Sequence, residues 1–190
     1  MTIPVMKPMR ALLLVLVAAA LAGGPGHEAA SAETSIEAFY GKYMGQGVTS
    51  GEDEFSKRDL SVHIKPAGKD KFTIHWITFT RSASGKRKRK EYSISFKPSD
   101  RKNVFGSAMR KNLFGKSVPL DPLKGEPYVW ARIHGKTLTV HAMLITDDGG
   151  YEMQVYDRTL TEGGMDLKFS RVRDGKTLKQ ITGSLLKLSE

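Results

Sequence analysis

Catalysis needs nucleophiles, acids, bases or metal ligands at workable spacings, and this 190-residue chain offers few. Ser-x-x-Lys occurs at Ser99–Lys102 and Ser184–Lys187, a frequency that a chain rich in serine and lysine produces by chance. Gly-x-Ser-x-Gly, His-Glu-x-x-His and phosphate-loop patterns are all missing from the sequence. His63, His75 and His141 fall on separate predicted strands and His134 in a turn, none with a second ligand at metal spacing. Asp147-Asp148-Gly149-Gly150 lacks the alternating acids and distal Glu of a calcium loop and reads as a hairpin turn. The chain contains no cysteine, so thiol catalysis, thiolate metal sites and disulfides are excluded. No catalytic residue, metal site or cofactor is therefore assigned, and an enzyme is not the favoured reading.

Binding chemistry is better represented. Asp157 and Arg171 each continue an apolar row, Met153-Val155-Asp157 and Leu167-Phe169-Arg171. A carboxylate and a guanidinium so placed could orient the head group of a ligand, or simply neutralise each other as a structural pair. Tyr43, Trp76 and Trp130 are candidates to line a cavity, with core packing as the alternative. Five consecutive cations, Lys86, Arg87, Lys88, Arg89 and Lys90, follow the turn after Arg81. On a strand, Lys86, Lys88 and Lys90 share the row leading to Tyr92, while Arg87 and Arg89 face the other way. So many cations cannot be buried, so the run must project beyond the rim of any closed sheet. Either it is a solvated hairpin or it contacts anionic envelope lipid or lipopolysaccharide, where each cation contributes about 1 kcal/mol. Nucleic acid is not expected, because the neighbouring aromatics Tyr92 and Phe96 belong to the inward row.

The first 32 residues have a separate meaning. Lys7 and Arg10 precede the apolar run Ala11 to Ala22, and Ala30-Ser31-Ala32 supplies a small-x-small exit. That order is the pattern of a secretory signal peptide cleaved after Ala32, and the run falls short of the roughly 20 residues a membrane span requires. A periplasmic or secreted, soluble, bacterial product is expected, with residues 33–190 forming one domain. The net charge of +10 favours anionic neighbours.

Residues 33–190 alternate between strand patterns and tight turns. A short helical lead-in (35–40) precedes a glycine-rich first strand; Leu60, Val62 and Ile64 share one face of the next. In "KFTIHWITFT" the apolar face switches after Trp76, which suggests a bulge there. Residues 105–126 could be strand, helix or lid. From Tyr128 onward five strands are separated by short glycine-containing turns, so the sheet must be an antiparallel meander. Closing it removes the exposed edges, giving an all-β fold: an up-and-down antiparallel β-barrel of about 8–10 strands.

This layout resembles the calycins, that is, lipocalin and fatty-acid-binding-type barrels. Gly41-Lys42-Tyr43 stands where they carry Gly-x-Trp, and Arg171 or Arg173 stands where an arginine packs across the ring. The resemblance implies a barrel able to hold a small hydrophobic or amphipathic molecule.

Overall fold

The computed structural model describes residues 34–51, 56–81, 87–107, 110–111, 117–118 and 120–189. The leader expected over 1–32, Lys86 and parts of 105–126 lie outside these residues.

One turn of 3₁₀ helix, η1 (Ile36–Phe39), precedes β1 (Gly41–Gly51), β2 (Ser56–Pro66), β3 (Phe72–Arg81), β4 (Arg87–Pro98) and β5 (Val104–Ser107). A small hairpin, β6 (Arg110–Lys111) with β7 (Ser117–Val118), and a second 3₁₀ turn, η2 (Pro122–Lys124), lie in the next connection. The chain then runs through β8 (Tyr128–His134), β9 (Thr137–Ile145), β10 (Tyr151–Leu160), β11 (Gly164–Arg173) and β12 (Lys176–Lys187). Each of β1–β5 and β8–β12 pairs antiparallel with its neighbours in the chain, and β1 pairs with β12 to close a ten-stranded barrel. Every strand of this ring therefore has a partner on each side, although β4 meets β5 only over Phe96–Pro98.

Local sequence explains the turns and the seam. Asp174 and Gly175 connect β11 to β12 with φ of 46° and 81°, the doubly positive conformation that an Asp-Gly hairpin turn demands. At the seam β1 and β12 approach so closely that a Cβ on Gly45 would lie 2.1 Å from the Ser184 carbonyl oxygen. Only glycine fits there.

Alternation along the strands sends one row inward. Tyr43, Leu60, Val62, Ile64, Phe72, Ile74, Phe96, Ala131, Ile133, Leu138, Val140, Met165 and Leu185 are buried together. Phe72 stacks on Phe96 with centroids 5.2 Å apart and meets Phe105 edge-on at 5.1 Å. Phe39 of η1 joins this core, where the Tyr43 hydroxyl donates a 3.0 Å hydrogen bond to the Phe39 carbonyl.

One local expectation fails. The β2–β3 and β3–β4 registers run without a shift through Trp76, so no bulge lies there; Ile77 and Phe79 simply face outward. The irregularity falls instead between Arg171 and Val172, in the β11–β12 pairing.

Candidate functional site

The barrel interior changes character along its length. The end with connections 67–71, 99–103 and 161–163 is filled by the aromatic and aliphatic core. Toward the opposite end, where β1 finishes at Gly51, β3 at Arg81 and β11 at Arg173, the inward rows become polar and cationic. A cavity of about 350 Å³ opens there. Leu60, Val62, Leu167, Phe169 and Ile181 form its apolar wall, and Trp76, Tyr92 and Tyr156 its aromatic one. The aromatic side chains support one another: Trp76 stacks on Tyr92 at 5.2 Å and is tilted against Tyr156 at 5.5 Å, and Tyr156 lies 4.7 Å from Phe169.

Five cationic side chains, Arg58, Lys90, Arg158, Arg171 and Lys179, also line this cavity, and no Asp or Glu does among the described residues. Arg58 donates from Nε to Thr49 Oγ1 (2.5 Å) and from Nη1 to Thr80 Oγ1 (2.7 Å). Arg171 donates from Nη2 to Glu152 Oε2 at 2.6 Å. That guanidinium holds the Glu152 carboxyl below the usual carboxylate range. A ladder continues down the inward row of β10: Gln154 Nε2 donates to Glu152 Oε1 (2.7 Å), and the Tyr156 hydroxyl donates to Gln154 Oε1 (2.9 Å). Burial pushes the Tyr156 hydroxyl up to about 12, so it remains a donor at neutral pH.

The next inward residue of β10 is Arg158, the largest fully buried side chain. Its Cζ lies 5.4 Å from the Trp76 ring centroid and 5.7 Å from that of Tyr156. Nε, Nη1 and Nη2 are all buried, and none has a hydrogen-bond partner among the described residues. Burial pushes this guanidinium down to about 10, still cationic at neutral pH. An unpaired buried charge of this kind is costly, and the two aromatic faces offset only part of that cost.

The residues expected from sequence divide between this site and other places. Trp76 and Arg171 line the cavity. Tyr43 does not; it belongs to the packed end, with Lys187 Nζ 5.9 Å from its ring. Trp130 lies on the outer surface, stacked on His141 at 4.7 Å, because Val129, Ala131 and Ile133 take the inward positions of β8. Asp157 also faces outward, accepting a hydrogen bond from Thr139 Oγ1 at 2.7 Å.

The Asp157–Arg171 pairing fails for a definite reason. Leu160 pairs with Met165 across a four-residue turn, so even positions of β10 oppose odd positions of β11. Arg171 therefore shares a face with Gln154, while Asp157 sits across from Lys168. Glu152, Tyr156 and Arg158 were missed because the apolar odd row of β10 looked like the inward one. Turn length carried the correct signal.

On the basic strand, Lys88 and Lys90 lie opposite Thr80 and Thr78 on the inward row, and Lys90 reaches the cavity. Arg87 and Arg89 face outward over the Phe79 ring at 5.5 and 6.0 Å, and Arg89 also pairs with Glu91 at 2.5 Å. Arg81 is exposed opposite Arg87. Among the described residues, no group of His, Cys, Asp and Glu could hold a metal ion. No described helix is long and apolar enough to cross a membrane.

No protein-family model matches the chain, and no curated protein sequence matches it. Among solved structures, the S-type phycobiliprotein lyase CPES from Guillardia theta is similar at a TM-score of 0.38 and 7% sequence identity, over 82% of this chain and 91% of that chain. A likeness at that level carries no argument about this chain. The barrel rests on its own strand register.

Proposed function

We propose that this barrel is a non-enzymatic binding protein, exported by its leader, that takes one small hydrophobic or amphipathic molecule into the cationic half of its interior. The observation that carries this reading is the cavity itself: about 350 Å³ with an apolar and aromatic wall, in a barrel whose other half is filled. Ligand sites commonly have this make-up, a mostly apolar concavity with a few converging polar groups, at volumes of roughly 300–1,000 Å³. The cavity lies at the small end of that range. The test is titration with a neutral apolar fluorophore, which should show saturable uptake at one molecule per chain. Emission rising without saturation, or not at all, would reject the reading.

A second reading concerns the rim. Arg81, Arg87, Lys88, Arg89 and Lys90 cluster at the end of the barrel where the cavity lies. Such a cluster suits contact with an anionic lipid surface, including envelope lipid or lipopolysaccharide, from which a ligand could be collected. Pelleting with vesicles containing phosphatidylglycerol should weaken as salt rises and should fall sharply in Lys88→Glu/Arg89→Glu. Equal pelleting of this variant and the parent would remove the rim from the account.

A further inference from the structure

Arg158 is the feature that ligand binding in general does not explain. An arginine within an apolar core is ordinarily matched by a carboxylate or by several carbonyl oxygens. Here the nearest inward carboxylate on the same strand, Glu152, is already engaged by Arg171 and Gln154, and the three Arg158 nitrogens have no partner among the described residues. Trp76 and Tyr156 occupy its surroundings with rings, which attract a cation but accept no in-plane hydrogen bond. The planar guanidinium edge is shaped for two parallel hydrogen bonds to one oxyanion.

We propose that Arg158 anchors the carboxylate of a small organic acid, seated at the floor of the cavity, with the apolar part of the acid extending along Trp76, Tyr92 and Phe169 toward the rim. This rests on the binding reading above and adds the charge, the head group and the direction of insertion. The other cations lining the cavity attract the acid, and the absence of a lining carboxylate among the described residues removes a competitor. Because the Arg158 nitrogens are covered, seating the carboxylate requires the Trp76 or Tyr156 ring to move. Binding is therefore reported by the emission of Trp76.

The experiment compares decanoic acid with decanamide at pH 7, two molecules of equal length that differ in head-group charge. Both are titrated into the purified full chain, using Trp76 emission in a Trp130→Phe background and calorimetry on the parent. The parent should bind the acid at least about tenfold more tightly than the amide, the range expected for hydrogen bonds to charged groups. Arg158→Met should bind both within about threefold, and Arg158→Lys should keep part of the preference because it keeps the charge without the fork. Equal affinity of the parent for acid and amide would overturn the proposal, as would an undiminished preference in Arg158→Met or, should that variant not fold, in Arg158→Lys. Saturable uptake of the neutral fluorophore with no acid preference defeats this inference alone. Failure to bind fluorophore, acid and amide defeats the binding reading as well.

Discussion

The two halves of the barrel are built from the same strands and the same alternation, yet their interiors are opposites. On β3, Phe72 and Ile74 are sealed in the packed half, while two and four residues further on Trp76 and Thr78 line the cavity. On β4 the inward row runs from Phe96 through Ile94 and Tyr92 to Lys90 and Lys88. The packed half gains stability from apolar burial, and the cationic half carries charges that burial penalises. Stability and binding are thus divided along the barrel axis, and truncating Phe72 in one half and Arg158 in the other should have opposite signs.

The largest effect is expected in the packed half. Phe72→Ala removes a ring that touches both Phe96 and Phe105 and should cost about 3–5 kcal/mol in urea unfolding. Arg158→Met should go the other way, raising stability by about 1–4 kcal/mol, because an unpaired buried cation is replaced by an apolar chain of similar length. Destabilisation by Arg158→Met would mean that the guanidinium is part of the core and that the division is false. Tyr43→Phe leaves the Phe39 carbonyl without its partner and should cost about 1–2 kcal/mol in the same assay.

The smallest effect concerns Glu152 and pH. Its carboxyl titrates below the ordinary 4.5 because Arg171 stabilises the charged form. Its contribution is therefore present above pH 4.5 and lost as pH falls through the folded-state value. Arg171 is 46% exposed, so solvent screens the pair and the loss should not exceed about 1 kcal/mol. Glu152→Gln should flatten this part of the acid limb of the stability curve while leaving the neutral-pH fold intact. An unchanged acid limb would show that the pair does not contribute.

The fold was legible because turn chemistry and alternation are local: glycine-containing turns from His134 to Gly175 mark out the last five strands. Closure of the sheet followed from having many strands and no helix to cover the edges. The site was less legible. One row on β10 reads apolar (Met153, Val155) and the other polar (Glu152, Gln154, Arg158), and ordinary burial rules assign the apolar row to the inside. In this barrel the polar row is inside, because the partner strand's inward residues, Met165, Leu167 and Phe169, fix the face through the register of a four-residue turn. Tyr43 took the core-packing alternative and Trp130 an outer face, because a large aromatic is equally at home on an outer face, in a sealed core or beside a cavity. Trp76 and Arg171 were placed correctly on the inward row, while the decisive Arg158 broke the pattern that sequence reading relies on.

The central claim, that the cationic half alone receives a ligand, is tested most directly by one pair of tryptophan substitutions titrated with the neutral fluorophore. Thr78 faces the cavity and Phe79, its neighbour on β3, faces outward under Arg87 and Arg89. Thr78→Trp should abolish saturable uptake and Phe79→Trp should leave it at the parent level. Uptake undiminished in Thr78→Trp would contradict the account.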